Sequence, residues 1–260
     1  MDISLQNKTA VVCGSTRGIG LATARALAQL GAQCILLARN ETSLKEAVAS
    51  LKPAHRAHEY RVADFNDNEA VRSVAEGIAA ANTVHILVNN TGGPPPGPVT
   101  TAAPDAFMAA FRQHIVNYQQ LAQVVLPGMK DAAYGRIINI VSTSVKIPIA
   151  NLGVSNTIRA ATAAWAKTLA NEVGGWGITV NNILPGYTKT QRLEKLIAGN
   201  AAKQQLSEAE LSSKMKQQIP AKRFGEPEEI AAVAAFLASP AAAYVNGVNL
   251  PVDGGSTGAF

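Results

Sequence analysis

Short apolar runs alternate with segments of helical spacing along most of this chain, and this alternation constrains the fold more than any other feature. The runs predict buried strands at 10–14, 34–38, 85–89, 136–142 and 178–185, a weaker strand at 58–63 and a last one within 245–255. Apolar residues recur at helical spacing over 19–30, 41–51, 67–80, 104–132, 153–173 and 226–238. A strand–helix–strand alternation predicts a parallel sheet with helices on both faces. We therefore predict an α/β fold with one doubly wound parallel sheet of about seven strands.

Size and composition favour a single domain. The chain has 260 residues, of which 47% are hydrophobic and 16% are charged, enough apolar material for one large core. No internal repeat or low-complexity linker marks a boundary, so we predict one domain over residues 1–260. The opening residues include an acid, Asp2, and no stretch approaches 18 uninterrupted apolar residues. We therefore expect neither secretion nor a membrane span, and a cytoplasmic protein.

The cysteine positions and the net charge limit which kinds of ligand or partner we expect. Cys13 and Cys34 each lie in a predicted buried strand, where a thiol behaves as a small hydrophobe, so we expect neither a disulfide nor a metal site. The net charge is +5, but lysine and arginine are dispersed through acidic helices rather than gathered in a stripe. We therefore expect no nucleic-acid partner, and a small ligand that carries phosphate is the better match to the charge.

Two irregular segments interrupt the alternation. TGGPPPGP, residues 91–98, follows a predicted strand and must be a stiff loop, because proline lacks an amide donor and restricts φ. The polar, helix-prone segment 190–222 is too long for an ordinary connection and leaves from a strand end, where ligands bind in open α/β sheets. We predict a lid over a pocket there, with a plain surface pair of helices as the alternative.

A glycine-rich loop joins the first predicted strand to the first helix. In VVCGSTRGIG, residues 11–20, the glycines allow a tight turn and let the backbone approach a pyrophosphate at a helix N-terminus. The spacing, G-x-x-x-G-x-G, predicts a Rossmann-type dinucleotide site, although glycines also end strands for structural reasons. The cofactor-binding residues predicted in this loop are Gly14, Ser15, Thr16, Arg17, Gly18, Ile19 and Gly20.

The end of the second strand selects the form of the dinucleotide. An acid there would accept hydrogen bonds from the adenosine ribose and indicate NAD, but the sequence LLARN places Arg39 at that point. Together with Arg17, this arginine could hold a 2′-phosphate through charge-assisted hydrogen bonds. We therefore predict NADP(H) as the cofactor, with two solvated surface arginines as the alternative. Asp64 and Phe65, after the third strand, are predicted to flank the adenine.

Five motifs occur in a fixed order along the chain: CGSTRGIG at 13–20, NNTG at 89–92, a serine at 142, PGYTKT at 185–190 and VDGG at 252–255. Through them, over essentially all its length, the chain resembles the short-chain dehydrogenases/reductases. The resemblance implies that Asn90 lines the cofactor channel and that Gly186, with the backbone of Tyr187 and Thr188, binds the nicotinamide carboxamide. Further cofactor contacts are expected at Gly92 and Pro185. The resemblance also implies a homotetramer or homodimer built on the 104–132 and 153–173 helices.

The catalytic positions implied by the resemblance hold unusual residues. Members of that family use a serine to bind the substrate oxygen, a tyrosine to donate the proton, a lysine four residues later and a helix asparagine that supports a water relay. Ser142 matches the serine. Counting forward from it places Ser155 and Arg159 in the tyrosine and lysine positions, and counting backward from the LPGM segment at 126–129 places His114 in the asparagine position. A GGPPPGP loop and an S-N-x-x-R helix start are similar to those of the divergent β-ketoacyl-carrier-protein-reductase-like branch.

These replacements change what the site can do with a proton. An alkyl hydroxyl such as that of Ser155 is a poor acid at pH 7, and Arg159 can bind ribose hydroxyls and offset alkoxide charge but cannot exchange protons. His114 is the predicted proton donor because its unperturbed pKa lies near physiological pH. Tyr187 and Lys146 are the alternatives. Each residue also has a purely structural interpretation. His114 would be a buried histidine whose hydrogen bonds are satisfied, Tyr187 a packing residue and Lys146 a solvated loop charge.

These residues are consistent with two functions of different classes. The first is an NADP(H)-dependent oxidoreductase that acts on a small-molecule carbonyl or alcohol, with Ser142, Ser155, Arg159 and His114 in its catalytic site. The second is an NADP(H)-binding protein without redox turnover. The replaced tyrosine and lysine favour the second, whereas Ser142, the glycine loop and the PGYTKT loop favour the first. Dehydration or isomerisation in the same pocket is a more distant alternative.

Overall fold

A computed structural model of the protein describes residues 1–258, and these contain one seven-stranded parallel sheet. The strands are β1 (Thr9–Cys13), β2 (Gln33–Ala38), β3 (Glu59–Val62), β4 (Ile86–Asn89), β5 (Gly135–Ile140), β6 (Ile178–Pro185) and β7 (Asn249–Val252). Their order in the sheet is β3-β2-β1-β4-β5-β6-β7, so the chain winds outward in two directions from the β1–β4 pair. The predicted doubly wound sheet of about seven strands is confirmed.

Helices cover both faces of this sheet, as predicted. They are α1 (Gly18–Gln29), α2 (Glu41–Ala49), α3 (Asn68–Ala81), α4 (Pro104–Phe111), α5 (Asn117–Asp131), α6 (Gly153–Val173), α7 (Gln191–Gln204), α8 (Glu208–Gln218) and α9 (Pro227–Ala238). On one face, α1, α2 and α9 pack on the sheet in a cluster that includes Leu27, Leu44 and Ile230. On the other face, α3, α5 and α6 form a second cluster around residues such as Ile78 and Leu169. Burial on both faces explains why the central strands are almost continuously apolar.

The long helix predicted over 104–132 is interrupted. A π-helical turn, Arg112–Val116, lies between α4 and α5 and carries His114 at its centre. His114 and Asn117 are both fully buried beside this turn. Periodicity alone does not reveal such a turn, since one widened turn barely disturbs the apolar spacing, and π-helical turns are often found at functional sites.

A ladder of asparagines links four neighbouring strands, from the carboxyl end of β4 to the half-buried first residue of β7. Asn89, Asn139, Asn182 and Asn249 are register partners on β4, β5, β6 and β7. Each side-chain Nδ2 donates to the Oδ1 of the next residue, and all three distances are 2.8 Å. The ladder fixes the relative positions of the strand ends from which the loops of the candidate site depart.

Residues 190–222 form a helical hairpin, which we call the lid segment. Its two helices, α7 and α8, enclose a small apolar cluster of their own that includes Leu193, Ile197 and Met215. Thr190 caps α7, and a reciprocal capping box between Ser207 and Glu210 begins α8. That this segment moves as a lid stays a prediction, as does the single-domain boundary. Of the helices that the structure describes, none is both long and apolar enough to cross a membrane.

The two cysteines lie in the core. Cys13 on β1 and Cys34 on β2 are fully buried free thiols. Burial raises the pKa of each thiol to about 12. They therefore pack as apolar groups and carry no thiolate chemistry at neutral pH.

Candidate active site

The glycine loop between β1 and α1 lines a crevice at the carboxyl edge of the sheet. Gly14 and Gly18 have φ of +58° and +54°, a conformation that disfavours a side chain. A Cβ at Gly20 would lie 2.2 Å from the Gly14 carbonyl oxygen, so only glycine allows this close turn. Arg17 precedes α1 without a side-chain cap, which leaves the first amides of the helix available to an anion.

Two polar side chains hold this loop in place. The Asn90 side chain donates from Nδ2 to the carbonyl oxygens of Cys13 and Gly14, at 3.3 and 3.1 Å. Ser15 is fully buried and donates from Oγ to the Leu37 carbonyl at 3.4 Å. These side chains therefore shape the cradle. Of the remaining predicted loop residues, Thr16 and Ile19 are half-buried at its surface.

Cations stand at the rim of the crevice. Arg17 is exposed and donates to Oε1 of Gln191 at the start of α7, at 2.7 Å. Arg39 is exposed after β2 and has no hydrogen-bond or ion-pair partner among residues 1–258. The glycine cradle, the uncapped helix and these two cations fit a dinucleotide that carries several phosphate groups.

Of the two residues predicted to flank the adenine, one lies at the surface and the other in the core. Asp64 is exposed, and its carboxylate accepts hydrogen bonds from the backbone and side-chain amides of Asn66. The Phe65 side chain is 8% exposed and packs in the core cluster below α3, while its carbonyl accepts a 2.7 Å hydrogen bond from Asn117. Contacts from these two residues to an adenine stay a prediction.

The loop after β6 closes the other end of the crevice. A Cβ at Gly186 would lie 2.7 Å from the Asp253 side chain, so this glycine lets the PGYTKT loop pack against the VDGG segment. Thr188 is buried and donates from Oγ1 to the Gly186 carbonyl at 3.1 Å. Pro185 ends β6 beside this loop. The Tyr187 ring packs edge-on against Phe224, with 6.2 Å between the ring centroids.

Ser142, Ser155 and Arg159 come from β5 and α6. Ser142 follows β5, and its Oγ accepts a 3.1 Å hydrogen bond from the Ser144 amide. Ser155, in the first turn of α6, and Arg159, one turn later, are 5% and 7% exposed. Arg159 donates to the Ile140 carbonyl at the end of β5, at 3.0 Å. The arginine predicted to anchor a ribose therefore reaches the strand end that carries Ser142.

His114 belongs to a buried hydrogen-bond network with Thr91 and Tyr118. Thr91 Oγ1 lies 2.7 Å from Nδ1 of His114 and 2.8 Å from the Tyr118 hydroxyl. The direct distance from that hydroxyl to Nδ1 is 3.5 Å. His114 is fully buried, and its Nε2 has no hydrogen-bond partner among the described residues. Sequence reasoning missed Thr91 and Tyr118, although the four-residue spacing from His114 to Tyr118 places both rings on one helix face.

The protonation state of this network follows from its surroundings. Burial, followed by the charges of Arg159 and Arg192, lowers the pKa of His114 to about 3. The imidazole is therefore neutral at pH 7, and proton delivery by His114 stays a prediction. Within residues 1–258, Tyr118 has no acceptor besides Thr91 and His114, so we assign its hydroxyl proton to them. With the order Tyr118 to Thr91 to Nδ1, the two hydroxyl protons are satisfied and the ring proton lies on Nε2, which has no partner among these residues.

Arg192, the second residue of α7, is a further site residue that sequence reasoning missed. Its guanidinium lies against Gly93, where an added Cβ would be 2.5 Å from one of its nitrogens. Arg192 is an exposed residue, but partial desolvation of its guanidinium lowers its pKa. Burial, followed by the charge of Arg192, lowers the pKa of Arg159. Gly92, predicted to touch the cofactor, precedes this contact and has open space where a Cβ would stand.

Comparison with known proteins identifies the family. A family model described as enoyl-(acyl carrier protein) reductase matches residues 14–257. The 3-oxoacyl-(acyl-carrier-protein) reductase FabG of Pseudomonas aeruginosa is 35% identical over 256 residues, which cover 97% of this chain and 98% of the relative. The L-sorbose reductase of Gluconobacter frateurii, solved with NADPH and L-sorbose, superposes with a TM-score of 0.93 at 32% identity over 100% of both chains. The chain belongs to the short-chain dehydrogenase/reductase family.

A further relative of this short-chain dehydrogenase/reductase is the NADPH-dependent reductase BacG of Bacillus subtilis. It is 30% identical over 255 residues, which cover 97% of this chain and 98% of BacG. Together these matches confirm the family predicted from the five motifs, including its ketoacyl-reductase-like character.

The site of this short-chain dehydrogenase/reductase thus has two parts, a cofactor crevice and a set of catalytic positions. Its cofactor crevice is assembled from the loops in which the sequence predicted cofactor contacts. Its catalytic positions hold buried Ser155 and Arg159 where the family resemblance implies a tyrosine and a lysine. Lys146 is half-buried beyond the turn that follows Ser142. The catalytic and cofactor-binding roles of individual residues stay predictions.

Proposed function

We propose that this short-chain dehydrogenase/reductase is an NADP(H)-dependent oxidoreductase in which Ser142 and His114 bind the oxygen of a carbonyl or alcohol substrate. The observation that carries the proposal is the buried network from Tyr118 through Thr91 to His114, which ends in an unpartnered Nε2. A buried polar atom without a partner is costly, and its retention is understandable if a ligand supplies the missing hydrogen bond.

NADP(H) is the cofactor that the crevice and the relatives support. The L-sorbose reductase structure contains NADPH, as does the structure of the actinorhodin polyketide ketoreductase variant, which aligns at 27% identity with a TM-score of 0.90. In this chain the cradle around Gly14 and Gly20 would hold the pyrophosphate, and Arg39 with Arg17 would hold the 2′-phosphate. Arg159 would bind the nicotinamide ribose. The cofactor, when bound, supplies or accepts the hydride.

The substrate oxygen would be held from two neighbouring strands. Thr91 follows β4 and Ser142 follows β5, and these strands pair in parallel, so their carboxyl ends lie at one edge of the sheet. The Ser142 hydroxyl and the Nε2–H of neutral His114 can both donate to that oxygen. A neutral imidazole is a suitable donor here because its environment keeps the pKa of His114 near 3.

The proton would be supplied along the same network, from Tyr118 through Thr91 and His114 to the substrate oxygen. The oxygen takes the Nε2 proton, Nδ1 takes the Thr91 hydroxyl proton, and Thr91 takes the proton of Tyr118. Burial raises the pKa of Tyr118, and the charge of Arg159 partly counters this rise and would stabilise the charge left on the phenol. Ser155 stands where the family resemblance implies a tyrosine. In this scheme Tyr118 returns a phenol to the site from a different helix.

The test is a set of matched variants of the network. NADPH oxidation with a panel of ketones and aldehydes should fall by about 100-fold or more in His114→Ala and Thr91→Val, the range typical of a lost proton-transfer group. Thr91→Ser keeps the hydroxyl and should retain most of the rate. Calorimetric titration should find the same NADPH affinity in all three. An unaltered rate in His114→Ala would remove this histidine from the mechanism.

The second candidate, NADP(H) binding without redox turnover, rests on Ser155 and Arg159, which replace two residues that the family resemblance implies for catalysis. It predicts NADPH binding with no reduction of any carbonyl in the panel. It also predicts that Ser155→Tyr combined with Arg159→Lys creates activity in an inactive parent. Loss of an existing activity in that double variant would instead support the native residues as a working site.

Assembly into a homodimer or homotetramer is part of the proposal. Met108 and Phe111 on α4 are 56% and 41% exposed, an apolar surface on one of the helices expected to pack across a two-fold axis. Sedimentation equilibrium of the wild type and of Phe111→Glu should show a dimer or tetramer that dissociates in the variant. A monomeric wild type at micromolar concentration would contradict this part.

A further inference from the structure

Two guanidinium groups create a positive region beside His114. Arg159 is buried, Arg192 lies against Gly93, and both guanidinium groups act electrostatically on His114. Among residues 1–258, no carboxylate lies within ion-pair distance of either arginine. Arg159 uses one donor, toward the Ile140 carbonyl, and Arg192 has no hydrogen-bond partner in this part of the chain. Most of their donors are therefore left for a ligand.

Arg192 contacts a different loop from the residue before it. Its neighbour Gln191 faces the glycine loop, where it accepts from Arg17 at 2.7 Å. Arg192 instead lies against Gly93, in the loop after β4 that also carries Thr91. Consecutive residues of α7 thus serve different sides of the crevice, Gln191 toward the phosphate cradle and Arg192 toward the reacting centre.

Local energetics also argue that Arg192 is there for a ligand. It lies in the first turn of α7, where the helix dipole disfavours a cation. Because residue 93 is glycine, the guanidinium can lie close to its backbone. The position of a cation in the first turn becomes favourable when an anion lies between the helix start and the guanidinium.

We propose that Arg192 binds a carboxylate of the substrate, so that the substrate is an oxo acid or the matching hydroxy acid. The inference rests on the proposed function, because it places this carboxylate beside the oxygen site of Ser142 and His114. A planar guanidinium binds a carboxylate with two parallel hydrogen bonds, which gives orientation as well as affinity. Arg159 adds positive potential from the opposite side while it holds the ribose.

The kinetic test compares each charged oxo acid with its neutral methyl ester. NADPH oxidation is measured with 2-, 3- and 4-oxo acids and with the methyl ester of each. The wild type should favour one class of acid over its ester, and Arg192→Leu should lower kcat/KM for that acid by about 10- to 100-fold, the usual effect of losing a charged hydrogen bond. The ester should be unaffected. Arg192→Lys should recover part of the loss, and Lys195→Leu on the same helix is the matched control.

A binding test separates this inference from the proposed function. Oxamate, a carboxylate that is not reduced, is titrated into the NADP⁺ complex by calorimetry, with ethyl oxamate as its neutral twin. Oxamate should bind wild type and Lys195→Leu but bind Arg192→Leu at least 10-fold more weakly. Arg192-dependent binding without reduction of any carbonyl would overturn the proposed function and keep the carboxylate site. Reduction of esters as fast as acids, or equal oxamate binding in Arg192→Leu, would overturn the carboxylate site alone.

Discussion

Replacing Asn139 by leucine should destabilise the protein strongly, because this residue lies at the centre of the asparagine ladder. Its Oδ1 accepts from Asn89, and its Nδ2 donates to Asn182, both at 2.8 Å. All three residues are buried, and the Asn89 Oδ1 already lacks a partner among the described residues. Leucine is close to asparagine in size but has no polar atom, so Asn139→Leu leaves the Asn89 side chain with no hydrogen bond and the Asn182 oxygen without a donor.

The magnitude follows from these two orphaned groups. A buried polar group that loses its partner costs about 1–3 kcal/mol, so two cost about 4 kcal/mol. The added apolar burial of leucine offsets about 1 kcal/mol. The expected net loss is about 3 kcal/mol, which for a domain of this size lowers Tm by about 6–12 °C. Because Asn89 immediately precedes Asn90, which holds the glycine loop, NADPH affinity should fall as well.

Urea unfolding followed by circular dichroism, at one protein concentration, measures this loss as a lower midpoint with an unchanged m-value. Asn249→Ala is the control, since it removes a single hydrogen bond at the half-buried end of the ladder, where water can replace it. The control should lose less than about 1 kcal/mol. If the two variants unfold at the same urea concentration, the ladder does not act as argued.

Three further predictions concern the cofactor site and pH. Arg39→Asp should weaken NADPH binding by about 10- to 100-fold and favour NADH in calorimetric titrations; unchanged selectivity would reject the 2′-phosphate assignment. His114 has a folded pKa of about 3, below its unfolded value, so the unfolded chain binds the extra proton and stability falls as pH drops from about 6.5 toward 3. His114→Gln should flatten this dependence by about 1.4 kcal/mol per pH unit in urea titrations, and equal slopes would refute it. Gly20→Ala should abolish NADPH binding, because its Cβ would meet the Gly14 carbonyl oxygen, whereas Gly77→Ala, in open space on α3, should bind normally.

Much of the crevice could be predicted because its parts are local in the chain. Gly14, Gly18 and Gly20 stand between a strand and a helix that periodicity alone reveals, and the structure confirms the sharp turn that they allow. The position of Arg39 follows in the same way from the end of β2. Each of these features depends on residues within one strand–loop–helix unit, so the sequence carries enough information to place them.

The proton network could not be predicted in the same way. Thr91 follows β4, while His114 and Tyr118 lie on a different element, and their contacts form only when the long helix docks beside the sheet. The π-helical turn around His114 leaves no distinct mark on the apolar spacing. The sequence predicted His114 as an acid from its unperturbed pKa, whereas burial and two distant arginines decide the actual protonation state.

The sequence by itself therefore determined the fold, the glycine cradle and the unusual residues Ser155 and Arg159. These follow from periodicity, spacing and residue type, which are properties of neighbouring positions along the chain. Tertiary structure alone decided that Arg192 lies against Gly93 and that Tyr118 contacts Thr91. It also decided that, among residues 1–258, no carboxylate lies within ion-pair distance of Arg159 or Arg192. The physical reason is that charge, desolvation and hydrogen bonding act across space, between residues that the sequence separates by tens of positions.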